Sequence, residues 1–345
     1  MIYGHSAQGE GGSTESRAIH LNPSVWTTSR AFTMAEILLS LTIIGVVAAI
    51  TLPSLTGNIN ERTWNTQRKA LYARFSQAIA LMPSLNSYGL GATQEETNSK
   101  AAETFISSGL NKVLKINNIC DSEHLTDCGI PTKITTLQGS TLIFPTNLTE
   151  LNDKFTSTTT TTGGYIYTPP QPEINTNAAA FETANGESIA IFYNPACQPD
   201  MNEIGSFYTQ SKMCANFIFD LNGNKGPNTV GKDIGFITAL YSTDPIVVMP
   251  VPLVNDAESG TQLKLRENGT SPALSACRKQ DSDSRLPNKD ELTAMFYNKN
   301  LINLQNNDYW SGEVVGQNAW GVKMHAGTRE IKPYNTTRYV RCIKR

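Results

Sequence analysis

Asp220, Asn222, Asn224, Asn228 and Asp233 place oxygen-bearing side chains around several glycines, directly after an apolar run that reads as a strand. A hard cation such as calcium takes about six or more oxygen ligands, and glycine permits the sharp bends that gather them. Two features weaken a calcium reading. No glutamate follows at the distance where a bidentate ligand would close the loop, and Lys225 and Lys232 reduce the local negative field. Asn and Asp also close turns through their own backbone hydrogen bonds. A calcium loop and a metal-free Asx turn therefore both stand as expectations.

The other chemistry-bearing residues point away from catalysis. The four histidines, His5, His20, His124 and His325, form no cluster, and no nucleophile–base pair or carboxylate dyad is visible by spacing. Six cysteines occur without a Cys-x-x-Cys pair, so a zinc thiolate site has no support. Many connectivities are open to six cysteines. Loop lengths favour Cys120 with Cys128, Cys197 with Cys214, and Cys277 with Cys342, bridges that persist in an oxidising compartment. The expectation is that this chain is not an enzyme. With a net charge of −2 and 17% charged residues, bulk electrostatics give no default for nucleic-acid binding.

No charged side chain occurs over residues 37–60, about the length that crosses a bilayer as a helix. Glu36 sits at the start of that run, where an ionised carboxylate is costly in hydrocarbon unless it is paired. A signal peptide has a shorter apolar core and small residues before its cut. Residues 30–50 closely resemble the N-terminal signature of type IV pilins and pseudopilins. That resemblance implies cleavage by a prepilin peptidase between Ala31 and Phe32, with Ala31 in place of the usual glycine, and N-methylation of Phe32. It implies that Glu36 pairs with the Phe32 amine of a neighbouring subunit, and that Pro53 kinks the long helix. Residues 1–31 are then a leader, long for this class, and the start codon is a second question. The loop at 220–233 is also similar to Asp-x-Asn-Gly loops of pilin-like proteins, in which calcium is sometimes bound.

Behind the apolar run, Trp64, Leu71, Phe75, Ala78, Ile79 and Met82 recur with the period of one helical face. A transmembrane and stalk helix is expected over 32–83, about 75 Å long at 1.5 Å per residue, ended by Pro83. A pilin-like globular head is expected over 84–248. It comprises a short helix at 101–114, a flexible threonine-rich loop at 156–162, a tight hairpin at Asn185–Gly186, and strands at 188–193 and 215–219. The prolines at 245, 250 and 252 suggest a linker, placed at 249–264.

Residues 265–345 read as a further α+β domain. Asn288 is an expected N-cap with Glu291 three residues on, residues 309–313 and 318–324 read as paired strands, and 338–342 as a closing strand. These segments resemble the C-type-lectin-like domain at the end of bacterial collagen-like adhesins, with Ser284 where that family usually has tryptophan. The substitution would leave a hole in the core. That fold family implies a glycan or polyanion ligand, with Trp310, Trp320, Arg338 and Arg341 as ligand-binding candidates. At strand positions Trp310 and Trp320 read more readily as core, and the basic residues as a solvated face.

Together these readings describe an α+β chain, with a long helix on an antiparallel-sheet head and a lectin-like domain behind it. The implied function is a minor pilin or pseudopilin, inserted in the inner membrane and then assembled with other subunits into a surface filament. The alternative is a periplasmic pseudopilus for type II secretion or DNA uptake.

Overall fold

In a computed structural model, the residues described are 33–82, 100–144, 165–166, 177–194, 212–241, 245–248, 253–256 and 261–344. For 48–61, 165–166, 212, 241, 245–248 and 253–256 only the backbone is described. The expected leader, Ala31, Phe32 and the threonine-rich loop lie outside these residues. Pro53 falls within a helix, and its side chain lies outside them too.

The chain is mixed helix and antiparallel sheet. An α-helix covers Met34–Leu81. By compactness the chain divides after Thr56, and Gly57–Arg345 is the larger unit. The second unit is built on a six-stranded sheet, in spatial order Ile116–Cys120, Asn177–Thr183, Ser188–Tyr193, Lys212–Asp220, Ile234–Tyr241 and Pro245–Val248. All its pairings are antiparallel. The hairpin at Asn185–Gly186 forms as expected, with Glu182 opposite Ser188 and Gly186 at φ +82°.

Alternate residues of a strand face opposite sides of a sheet, and here both sides are covered. Ile189, Ile191, Phe217, Phe219 and Ile237 pack with Leu71, Phe75, Ala78, Ile79 and Met82 of the long helix. Phe75 meets Phe217 edge-on at 4.9 Å and Phe181 at 6.3 Å. The expected helix at 101–114 appears as successive α, π and 3-10 turns, Ala101–Thr104, Phe105–Gly109 and Leu110–Lys112. Its Phe105 stacks on Tyr193 at 4.5 Å. Arg74 leaves the helix to pair with buried Glu187 beside the hairpin, and Thr183 donates to the same carboxylate. The long helix is thereby held in one register on the sheet.

On the opposite face, Ala180, Ala190, Phe192, Ile218 and Phe236 share a core with Leu292, Met295, Leu301, Ile302, Tyr309 and Val322 from the C-terminal part. This explains why all of Ser188–Tyr193 is buried. A strand covered on both faces has no reason to alternate apolar with polar residues. A polar knot joins the two parts. Asn216 and Asn298 exchange amide hydrogen bonds at 2.9 and 3.0 Å, and Thr238 Oγ1 donates to Asn216 Oδ1 at 2.7 Å. All three side chains are buried.

The C-terminal part carries helices Pro272–Gln280 and Lys289–Tyr297. The second opens with the expected reciprocal cap between Asn288 and Glu291. Asp308–Val315, Asn318–Lys323 and Thr328–Pro333 form an antiparallel sheet. The stretch expected as a linker is part of the fold where it is described. Leu253–Asp256 pairs with Arg341–Lys344, and Leu263–Lys264 pairs with Thr337–Arg338. The closing strand expected at 338–342 is divided, because Tyr339 and Val340 lie between Thr337–Arg338 and Arg341–Lys344.

Replacing Asn216 with alanine would leave the Asn298 amide and the Thr238 hydroxyl short of partners inside a sealed contact. An unsatisfied buried polar group costs about 1–3 kcal/mol. Asn216→Ala should lower the urea midpoint correspondingly, with little change in slope.

Candidate functional site

At the N-terminal end, Thr33 precedes the long helix and caps it. Thr33 Oγ1 accepts from Glu36 N at 3.2 Å, and Glu36 Oε2 accepts from Thr33 N and Oγ1 at 2.9 Å each. This reciprocal arrangement is a capping box. The Glu36 carboxylate therefore has donors within its own chain. The Thr-x-x-Glu spacing carried that signal and was missed. Beyond it the helix shows solvent an apolar surface: Ile37, Leu38, Leu39, Leu41, Ile43, Ile44, Val46 and Val47 are 47–64% exposed. Among the described residues, no helix is long and apolar enough to cross a membrane. The apolar run of the sequence continues into 48–60, whose side chains lie outside those described.

The oxygen-rich loop follows strand Lys212–Asp220, as expected, and leads into Ile234–Tyr241. Asp233 is buried, and its two oxygens accept from the amides of Asn228 at 2.8 Å and Thr229 at 2.7 Å. Asp220 is 1% exposed and its Oδ1 accepts from Asn222 N at 3.1 Å. Asn222 Nδ2 donates to the Gly226 carbonyl at 2.7 Å. Asn228 adopts a left-handed φ of +49°, a conformation asparagine tolerates better than most residues. Asn224 is exposed. Burial pushes the Asp220 carboxyl up to about 7 against the pull of the Asn222 amide, and neighbouring Asp233 adds to the rise. Three buried oxygens in this loop have no hydrogen-bond partner: Asp220 Oδ2, Asn222 Oδ1 and Asn228 Oδ1. Among the described residues, no group of three or more His, Cys, Asp or Glu side chains could hold a metal. The donors of this loop are instead two carboxylates with carboxamide oxygens.

In the C-terminal part the sequence candidates separate. Trp310 is fully buried and its Nε1 donates to the Leu263 carbonyl at 3.0 Å, so it offers no face to a sugar. Arg341 is also fully buried, with Nη2 directed to the Ile302 carbonyl at 3.4 Å. Its position within the core removes it from the ligand-binding candidates. Trp320 is half-buried and carries the Lys289 ammonium 5.5 Å from its ring centre. Arg338 is 6% exposed, lies over the Trp310 ring and pairs with Glu330. Lys323 and Lys332 reach the same carboxylate at 3.3 and 3.9 Å, and Lys344 pairs with Asp281 at 2.9 Å. Two carboxylates thus offset part of the charge of these four cations, and three of the four share Glu330.

Beside this network opens a cleft of about 490 Å³ with a polar lining that includes Gln262, Asn306, Asp308, Lys332, Arg338 and Tyr339. Of the four residues proposed from sequence, only Arg338 lines it. The rest of the lining comes from strand residues and loops whose proximity has no short-range sequence signal.

The described cysteines form disulfides. Cys120 bonds to Cys128 and Cys277 to Cys342, as expected. Cys214 is also disulfide-bonded, while Cys197 lies outside the described residues. Ser284 is buried at the position where tryptophan was expected, and its Oγ has no partner. Neither a protein-family model nor a curated protein sequence matches the chain.

Burial alone would raise the Glu330 carboxyl, but Arg338 and Lys323 outweigh it and hold it below its ordinary value of 4.5. A depressed folded pKa stabilises the fold above the unfolded value, and that contribution is lost as pH falls through the folded one. The Tm should therefore fall as pH is lowered below about 4.5, and Glu330→Gln should flatten this dependence. At pH 7 the same variant should cost about 3–5 kcal/mol, because it strands buried Arg338.

Proposed function

We propose that this chain is a subunit of a type IV pilin-like filament, a minor pilin or pseudopilin. In this reading it is trimmed before Phe32, joins other subunits through its N-terminal helix, and displays a ligand-binding C-terminal part. The observation that carries the reading is the exposed apolar surface of residues 37–47 on a helix. A contiguous apolar surface of this kind is not stable in water and needs lipid or other subunits to cover it. The charge-free run of the sequence supports lipid before assembly and neighbouring helices after it.

The lectin-like expectation supports a glycan as ligand. The polar cleft suits it better than the tryptophans do, since amides, a carboxylate and a tyrosine can hydrogen-bond sugar hydroxyls. A polyanion is less favoured, because Asp308 lines the cleft and Glu330 partly offsets Lys332 and Arg338. No enzymatic step is proposed.

The experiment that tests assembly is mass spectrometry of the protein from cell envelopes. The expected N-terminus is N-methylated Phe32, and any other mature terminus contradicts the reading. Glu36→Ala should abolish incorporation into filaments without loss of the 57–345 fold. For the ligand, the full chain in detergent should be retained on a glycan array, and Asp308→Ala should reduce that retention at least tenfold. Retention unchanged by Asp308→Ala would place the ligand elsewhere.

A further inference from the structure

Asn306 and Asp308 both line the polar cleft, and the backbone that carries them is pinned on several sides. Leu304 N donates to the Lys299 carbonyl at 2.9 Å, Met324 N to the Asn307 carbonyl at 2.9 Å, and Tyr339 N to the Asp308 carbonyl at 3.0 Å. The two side chains are therefore presented to a ligand from a fixed frame.

Each offers a single polarity. Lys299 Nζ donates to Asn306 Oδ1 at 3.0 Å and lies 3.4 Å from the Met324 carbonyl. An ammonium carries donors only, so the carboxamide turns its oxygen toward Lys299 and leaves Nδ2 as the free end. Among the described residues, that Nδ2 makes no hydrogen bond. The lysine is held in place, because its Nζ also stands 5.3 Å from the centre of the Phe296 ring, whose face attracts a cation. Asp308 has the opposite character, since an ionised carboxylate only accepts. His325 Nδ1 is 4.0 Å from its Oδ1, too far for a hydrogen bond. Lys323, opposite Asp308 in the sheet, reaches Glu330 at 3.3 Å instead.

The cleft thus sets a fixed donor near a fixed acceptor, and few ligand groups answer both. A free amine supplies donors to Asp308 but sets its protons against Asn306 Nδ2. A carboxylate or sulfate has the converse fault. A hydroxyl turns to either residue and gains no preference from the pair. A secondary amide carries an N–H on one side and a C=O on the other in one rigid plane, so it meets both without freezing a rotor. Half-buried Tyr339, in the same lining, offers apolar ring surface for an acyl methyl. Gln262 and Thr336 add amide and hydroxyl groups that suit a sugar ring better than the apolar side chains of a peptide.

We propose that the cleft selects an N-acetylated amino sugar. Asn306 Nδ2 donates to the acetamido carbonyl, Asp308 accepts from its N–H, and Lys299 is the positioning residue that fixes the Asn306 amide. This selectivity presupposes that the cleft is the glycan site. Its volume of about 490 Å³ falls within the roughly 300–1,000 Å³ of small-ligand clefts.

The test uses the full chain in detergent against matched oligosaccharides of the gluco and galacto series. Within each series they differ only in carrying an acetamido, a free amino or a hydroxyl group at one ring carbon. The acetamido form of at least one series should bind about tenfold or more tightly than both analogues, a discrimination that about one or two net hydrogen bonds supply. Lys299→Met keeps the apolar stem and removes the ammonium. It should leave the affinity for the hydroxyl form unchanged while the acetamido preference falls, a change of ratio that a loosened fold does not produce. Asn306→Asp, which exchanges the donor for an acceptor, should abolish the preference. Equal binding of all forms, or a preference that survives either variant, overturns this inference and leaves the glycan reading standing. No binding of any sugar overturns both. Displacement of the sugar by an equal concentration of a short N-acetylated peptide also overturns it, since the amide alone is then what the cleft reads.

Discussion

The structure of residues 57–345 depends on a sheet that must be covered on both faces. Strand Ser188–Tyr193 is buried at every position, so no orientation of it can face water without exposing large apolar side chains. The long helix and the 101–112 turns cover one face, and the C-terminal part covers the other. Each cover is pinned by a polar contact that apolar packing alone would leave free to slide. The Arg74–Glu187 pair serves on one face, and the Asn216–Asn298–Thr238 knot on the other. Nondirectional burial supplies most of the attraction, while these few directional bonds select one register.

Much of this was legible where the signal is local. The helical face at Leu71, Phe75, Ala78 and Met82, the Asn288–Glu291 cap, the hairpin at Gly186 and the paired strands around Trp310 and Trp320 each follow from a short period or a fixed offset. The second cover of the sheet was not recognised, although the unbroken apolar run at 188–193 carried a hint of it. The prolines near residue 250 suggested a spacer, yet Leu253–Asp256 is a strand whose partner, Arg341–Lys344, is far along the chain.

The candidate ligand residues show the same division. Arg338, Arg341 and the nearby lysines looked like a positive surface because their acids are distant in sequence. Glu330 and Asp281 offset part of that charge once the chain folds. Burial of Trp310 follows from its place in the middle of a sheet strand, with Cys277, Cys342, Leu286 and Val340 around it. The cleft beside Asp308 and Tyr339 is made by strand residues and loops that only tertiary structure brings together. The oxygen loop was found because its residues are contiguous, but the feature that singles it out, three buried acceptors lacking donors, appears only in three dimensions.

The last strand, Arg341–Lys344, lies between Leu253–Asp256 and Ser284–Arg285, and Cys342 is bonded to Cys277 of the helix Pro272–Gln280. Its tail is consequently clasped on two sides and welded at one point. A pull applied near the cleft reaches that clasp through Arg338 and Tyr339, and it meets a covalent stop before the strand can peel. Tension then passes through the Cys277–Cys342 bond into the helix Pro272–Gln280.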